Sequence, residues 1–579
     1  MKFVPHDLED VARFESTSRN RMALIVAAAS ALAVASSALG EDRTIDGTGN
    51  NPLHLTWAAA GTGNIRLSPA GFGNGFSTPA GATRPNPRAI SNAIIAQSGS
   101  LPNSFGLSDW TFQWGQFIDH DLTLTQAASP TEAFNIPIPA GDPIFDAGNT
   151  GNKIMPFNRS AYFAGTGTSI GNPRAPVNTN TSYLDGSMVY GSDAPRALAL
   201  RTLSGGRMKT SAGNLLPLNT MNLPNDNNGD PNPAAYYVAG DPRANEQMGL
   251  TAVHTLFLRE HNRQADQLAA AHPTWTDDQI YQQARKIVSG EVQAITFKEF
   301  LPALMGSNAP ALASVYNPNI NASISVEFAT AFFRVGHTML SPQLPRMQND
   351  GTPAPGGPVA LRDTFFQQEN MAGGTEVDYF LKGLASERQQ EIDQHVVDDV
   401  RNFLVGDPIA GFGFDLPALN IQRGRDHGLA DYNASRVAYG LAPAANFSDI
   451  TSDPALQQAL QNTFGDVNNI DAWVGALSED HVAGMRVGEL IGAAFNDQFT
   501  RLRDGDRFWF LNDDALSPAE KTFLSGVRLS DIIRANSGIT NIQDNVFMTV
   551  PEPAATALLL AACGGTMLNR RRRRASHSS

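Results

Sequence analysis

Cysteine is almost missing from this chain: of 579 residues one is Cys, Cys563, and it stands close to the C-terminus. That excludes disulfides within the body, a two- or four-cysteine metal site and a cysteine nucleophile there. Positive charge is also short. Forty-two Lys and Arg face 56 Asp and Glu, a formal net charge of −14, which argues against nucleic acid as a partner. Alternating strand patterns are few and brief, no internal repeat or low-complexity block is present, and long apolar runs are confined to the two ends. What is plentiful is Gly (51) and Pro (36), with only 17% of residues charged. That mixture points to structured loops on a core rather than to disorder.

Both ends look like addresses. Arg19, Asn20 and Arg21 precede MALIVAAASALAVASSALG, an apolar run closing on small residues. These are the parts of a secretory signal, with residues 1–40 expected to leave after Gly40. At the other end Val550, Pro551, Glu552 and Pro553 precede a short apolar run and Arg570 to Arg574. This resembles the bacterial PEP-CTERM sorting signal. The resemblance implies export in a Gram-negative bacterium, to the periplasm, cell surface or medium. It also implies export machinery and an exosortase as partners, and transient anchoring of residues 550–579 in the inner membrane.

Apolar residues at helical spacing recur in 107–124, 246–271, 277–301, 325–339, 386–404, 455–464 and 483–502. Residues 41–105 read as irregular chain over a core. Length alone suggests about four domains. The pattern instead predicts a mainly α fold, one large domain over 41–549 with long irregular loops.

Five clusters interrupt the apolar helices. In WGQFIDHD, Gln116 and His120 are four apart and share a helix face, while Asp119 and Asp121 are expected to point elsewhere. One His and one amide do not make a structural zinc site; they suit a pocket handling a proton and a small polar molecule. A hydrogen-bonded core histidine is the plainer alternative. In GDPRANEQ, Arg243 and Glu246 stand at a helix start that Asp241 or Asn245 could cap, and an intrahelical ion pair would explain them. His254 and His261 are seven apart without an HExxH core, so both read as core or surface residues. In EFATAFFRVGHTML the helix is almost wholly apolar apart from Glu327, Arg334 and His337, a setting in which neutral His binds iron. ALNIQRGRDH brings Asn420, Arg423 and Arg425 near Asp426 and His427, with a salt-bridged turn as the bland explanation. NTSYLDGS places oxygen donors at Thr181, Asp185 and Ser187, with the Tyr183 carbonyl between them, as a hard cation prefers.

Together and in this order the clusters resemble the animal-type haem peroxidases, the superfamily of myeloperoxidase, lactoperoxidase and peroxidasin, in its bacterial branch. The likeness runs from RTIDGTGNN at Arg43 to LRDGDRFW near Trp509. It implies haem b and Ca²⁺ as cofactors, and H₂O₂ with a small reducing substrate (halide, thiocyanate or phenol) oxidised through a ferryl intermediate. By the same resemblance His120 is the distal acid–base, Gln116 a distal amide and Arg243 the distal arginine. Asp119 and Glu246 are haem-linking carboxylates. His337 is the iron ligand with Asn420 as its partner, and Arg334 and Arg423 are propionate contacts. Asp121, Thr181, Tyr183, Asp185 and Ser187 are the calcium ligands. Gln247 stands where some members carry a methionine link to haem, so that link is not expected.

Two other functions stay in view. A non-catalytic exported surface or matrix protein on the same fold fits the terminal signals equally well. The fatty-acid oxygenases of the superfamily place a radical tyrosine three residues before the proximal histidine; here that residue is Arg334. Oligomeric state is open, although a disulfide between subunits is impossible in the body.

Overall fold

Thirteen residues from Trp110 to Leu122 form the helix on which the rest is organised, α1. Trp110, Trp114, Phe117, Ile118 and Leu122 are completely buried, so the helix is apolar on all but one stripe and runs through the core. Its tryptophans are pinned as well as packed: Trp110 Nε1 donates to the Leu381 carbonyl at 3.1 Å and Trp114 Nε1 to Thr296 Oγ1 at 3.2 Å. The computed structural model describes residues 41–408 and 413–550. The expected leader 1–40 and tail 551–579, with Cys563, lie outside the described residues.

Around α1 stand the short α2 (Ser187–Tyr190), the long α3 (Met248–Ala271) and α4 (Asp277–Ile295). Trp114 and Phe117 meet Phe257 of α3 at ring separations of 5.7 and 5.0 Å. A capping box between Thr276 and Gln279 starts α4, which runs on through a π-helical turn, Thr296–Phe300, into α5 (Leu301–Met305). Then follow α6 (Val326–Thr330), a 3₁₀ turn Phe332–His337, α7 (Thr375–Leu384), α8 (Leu416–Asp426) and α9 (Glu489–Asp504). Strands among the described residues amount to three two-residue antiparallel pairs: Thr62–Gly63 with Val177–Asn178, Ile136–Pro137 with Ile154–Met155, and Gln343–Leu344 with Val359–Ala360. One large apolar core extends from Ile90 to Phe547. The fold is the mainly α, loop-decorated single domain that the spacing predicts.

Two helical expectations fail in detail. Over 386–404 the apolar residues Ile392, Val396, Val397 and Val400 are buried, yet only Asp398–Arg401 is helical. The backbone there is claimed by residues 95–107 instead: Gln389 N donates to Leu107 O, Glu391 N to Leu101 O at 2.7 Å and Val396 N to Ile95 O at 2.9 Å. Over 325–339 the helix breaks at Ala331 (φ −125°, ψ −64°) and resumes as the 3₁₀ turn. Residues 41–105 are irregular as expected, except for the two-residue strand Thr62–Gly63, Pro87–Ile90 and the π-helical turn after it. From that short helix the fully buried Arg88 reaches Asp142 at 2.7 Å and Asp415 at 2.6 Å. Asp415 is also the N-cap of α8, accepting from Ala418 N. The irregular strap thereby fixes the helix that carries Asn420 and Arg423.

Candidate active site

Between α1, α5, the 3₁₀ turn and α8 lies a cavity of about 430 Å³. From α1 it is lined by Gln116, Asp119 and His120, a stripe at i, i+3 and i+4, followed by Thr123 just past the helix end. Asp119 therefore shares the face of Gln116 and His120, contrary to expectation: three residues is as near a neighbour on a helix as four. Asp121 does point away, toward α2. Opposite stand Arg334 and His337. A 3₁₀ turn eclipses positions three apart, so the break at Ala331 is what turns both side chains into the same space. Arg243, Glu246 and Arg423 add to the polar lining, with Asn64, Ser160, Gln247 and His427 among the rest, and Phe112, Phe300, Phe333, Leu304 and Phe366 belong to the apolar remainder.

His120 is buried, with Nδ1 3.6 Å from Asp241 Oδ1 and Nε2 3.6 Å from Glu246 Oε2. Burial first, and Arg243 second, holds its pKa well below the usual 6.5. The imidazole is thus neutral near pH 7. Arg243 does not pair with Glu246. Its Nε and Nη2 fork onto Asp241 Oδ1 and Oδ2 at 2.9 and 2.8 Å, and Nη2 also donates to Thr123 O at 2.8 Å. Nor do Asp241 and Asn245 cap a helix, because α3 begins only after Gln247; Asp241 folds back on Arg243, and Asn245 accepts from Tyr237 N.

Glu246 and Asp119 keep 33% and 31% of their side-chain surface accessible, yet both face the cavity rather than open solvent. Desolvation there pushes Glu246 up to about 7 against the pull of Arg243, and raises Asp119 as well. Gln116 Nε2 donates to Glu246 Oε2 at 3.0 Å. Behind it Gln247 Nε2 donates to Gln113 Oε1 at 2.5 Å and to Gln116 Oε1 at 3.2 Å, an amide chain whose third member, Gln113, the sequence motifs did not single out.

Burial, and then Arg334, lowers His337 to about 3, so it too is neutral. Its Nδ1 lies 2.7 Å from the Asn420 amide nitrogen, while the Asn420 oxygen accepts from Arg334 Nη1 at 2.8 Å. Holding a metal through Nε2 would place the ring proton on Nδ1, and Asn420 would then present its oxygen instead. Arg334 spends its hydrogen bonds on neutral acceptors, Asn420 Oδ1 and Ala329 O, and burial lowers it to about 10. A half-buried guanidinium so placed has room for an anionic group in the cavity. Arg423 pairs with Asp426 at 2.9 Å and with Ser160 Oγ at 2.7 Å, on a helix and not in a turn. His254 and His261 are both buried, as expected of core residues.

On the far side of α1, Asp121 is sealed in by the 181–188 loop. Its Oδ1 accepts from Ser187 Oγ at 2.8 Å and its Oδ2 from Asp185 N at 3.1 Å. Thr181 Oγ1 donates to Asp185 Oδ1 at 3.1 Å, and Asp185 Oδ2 is buried with no hydrogen-bond partner. Two adjoining buried carboxylates are each pushed above the usual range, by burial first and, for Asp121, by Asp185 next. Such a pair with hydroxyls around it suits a hard cation. The Tyr183 side chain turns away, its hydroxyl donating to Trp57 O at 2.9 Å, so only its backbone could serve. Among the described residues no three His, Cys, Asp or Glu side chains group as a metal site, and no helix is long and apolar enough to cross a membrane.

Residues 42–547 match the family model described as Animal haem peroxidase. The chain belongs to that family. Its enzyme class, peroxidase, is the family's. It is 36% identical to Peroxinectin A of Dictyostelium discoideum, over 88% of this chain and 96% of that one. With the peroxidasin homolog of Mus musculus it shares 36% identity over 88% of its own length but only 38% of the relative's, and with mouse myeloperoxidase 34% over 88% and 77%. Among solved structures it resembles Peroxidase A from D. discoideum, with a TM-score of 0.81 and 35% identity over 88% of this chain and all of that one. The fatty acid alpha-dioxygenase of Arabidopsis thaliana matches at TM-score 0.72 and 19% identity, over 88% of this chain and 84% of that one, which is a likeness of fold alone.

Proposed function

We propose that the protein binds haem b in the central cavity and Ca²⁺ beside Asp121, and reduces H₂O₂ while oxidising a small donor such as halide, thiocyanate or a phenol. The observation that carries this is the convergence on one cavity of two neutral histidines, His120 and His337, with Arg243 anchored beside the first. Donor oxidation that requires both bound haem and H₂O₂ is the test; turnover without either would refute it.

The residues fit the group. His337 would ligate iron through Nε2, Arg334 and Arg423 would meet the propionates, and Asp119 and Glu246, which both line the cavity, would be the carboxylates esterified. When bound, haem supplies the redox chemistry. The chain supplies the proton chemistry. His120 accepts a proton from H₂O₂ at Nε2 and returns it to the departing oxygen. Arg243 stabilises the negative charge that develops as the O–O bond breaks. Gln116 fixes Glu246, and the apolar lining limits water.

If Asp119 and Glu246 form esters, peptide mass spectrometry after H₂O₂ treatment will find haem on both peptides. Haem released wholly by acidic acetone would show that both remain free carboxylates. On the proximal side, an amide partner leaves His337 less anionic than a carboxylate would. Asn420→Asp should therefore lower the Fe(III)/Fe(II) potential, read by spectroelectrochemistry; an unchanged potential would remove Asn420 from that role.

The boundaries at 40 and 550 are supported by the family match over 42–547, and export with an exosortase-processed tail by the terminal motifs. A fatty-acid oxygenase gains nothing from the site, since Arg334 occupies the position of the radical tyrosine. A non-catalytic matrix role would leave the paired histidines and Arg243 without use.

A further inference from the structure

We infer that Asp241 is the positioning residue of the distal site, holding both Arg243 and His120 in their working arrangement, with Asn180 tying it to the calcium loop. This rests on the proposed function and concerns residues outside the family assignment above.

The Asp241 side chain is completely buried, a position that a carboxylate holds only with partners. Its partners are the distal groups Arg243 and His120 and, from the calcium loop, Asn180. Oδ1 accepts from Arg243 N and Arg243 Nε, both at 2.9 Å, and faces His120 Nδ1 at 3.6 Å. Oδ2 accepts from Arg243 Nη2 at 2.8 Å and from Asn180 Nδ2 at 3.0 Å. Asn180 Nδ2 also donates to the His120 carbonyl at 2.7 Å. The carboxylate, the guanidinium, the imidazole and the residue preceding Thr181 thus form one connected set.

The backbone leaves Asp241 little freedom. Its N–H donates to Met188 O at 3.1 Å. At the preceding Gly240 any Cβ would collide with the Ser187 carbonyl and the Tyr190 and Gly191 amides. The loop is therefore pressed flat on α2, and α2 begins with Ser187, which clasps Asp121.

The consequence is tautomeric. His120 Nδ1 is buried with no hydrogen-bond partner of its own, and Asp241 faces it at 3.6 Å; Glu246 stands equally far from Nε2, but desolvation pushes it up to about 7, so near pH 7 it carries only part of a charge. At 3.6 Å the contact is electrostatic, or is bridged by one water. A carboxylate there favours the proton on Nδ1, which leaves the Nε2 lone pair directed into the cavity. Only that tautomer can accept a proton from H₂O₂ at Nε2. The same carboxylate fixes the plane of the Arg243 guanidinium by a two-point fork, so one side chain sets both groups.

The test uses the full chain, ¹⁵N-labelled at histidine and loaded with zinc protoporphyrin as a diamagnetic stand-in, with His120 assigned by the signal lost in His120→Ala. At pH 7 the expected spectrum shows His120 protonated at Nδ1 and bare at Nε2. Asp241→Asn should move it to a mixed or Nε2-protonated form. In the iron-haem protein the same variant should slow the bimolecular reaction with H₂O₂ at least 100-fold while leaving the donor KM unchanged. Asn180→Ala should slow it about tenfold.

A wild-type His120 protonated at Nε2 would overturn the inference without recourse to any variant, including one that fails to fold. So would an Asp241→Asn protein that keeps the native tautomer and rate. The underlying function fails separately: if His120→Ala reacts with H₂O₂ as fast as wild type, the distal site itself is misassigned, whatever Asp241 does.

Discussion

His120→Ala is expected to take up haem normally and to react with H₂O₂ about 10²–10⁴-fold more slowly, the usual worth of a positioned acid–base group. Haem uptake should survive because the proposed iron ligand His337 and the proposed propionate contacts Arg334 and Arg423 are carried by the 3₁₀ turn and α8 and not by α1. The reaction should suffer because the neighbouring Glu246, 3.6 Å from His120, is partly protonated near pH 7 and has the oxygen that faces His120 occupied by Gln116. The pH dependence has a definite sign. Burial and Arg243 hold His120 well below 6.5, so the wild-type rate should stay level as pH falls through 6.5. It should drop only in stronger acid, where the imidazole gains a proton and can no longer accept one. A loss centred at pH 6.5 would mean that the base is solvated and that the burial is wrong. Stopped-flow measurement from pH 4 to 8 decides it, and undiminished turnover in the variant would refute the assignment of His120.

Chelating Ca²⁺ is expected to lower the melting temperature and weaken the Soret band together, since Asp121 and His120 are adjacent on α1. At a free-ion concentration about 100-fold above Kd, binding contributes roughly 2.7 kcal/mol. Without the cation, Asp121 and Asp185 are both held above the usual 3.8. The folded state then binds more protons than the unfolded one, so its stability declines as pH rises from 3.8 through the raised values. A cation displaces those protons and binds better at higher pH. The melting temperature should therefore fall more on adding chelator at pH 8 than at pH 5.5, and Asp121→Ala should remove the difference. Calorimetry with parallel absorption spectra measures both effects. A Soret band indifferent to a chelator that destabilises the fold would separate the two sites.

The stripe of α1 was legible from spacing, although the sequence alone placed Asp119 on the wrong face: i+3 and i+4 are equally near, and nothing local says how wide a cavity is. Arg334 and His337 were recognised as a pair in an apolar helix. Their shared direction depends on the switch to 3₁₀ geometry at Ala331, a residue with no helix-breaking character. At 386–404 the apolar spacing marked buried residues correctly but not their conformation, because pairing with residues 95–107 removed the hydrogen bonds a helix would need. Asp241 was visible as an acid two residues before Arg243. Its role was not, because Asn180 and His120 reach it from 60 or more positions away in the chain. Short-range pattern names the groups that face the cavity; which of them holds the others is decided by contacts between distant segments.

The central claim is that the cavity, once it holds haem, reacts with peroxide through groups supplied by this chain. It is tested most directly by the absorption spectrum of the haem-loaded, full-length protein before and after one equivalent of H₂O₂. The account predicts a ferric Soret band that converts within the mixing time to an oxidised spectrum and returns when bromide, thiocyanate or a phenol is added. A haem band indifferent to H₂O₂, or no haem uptake at all, would contradict it.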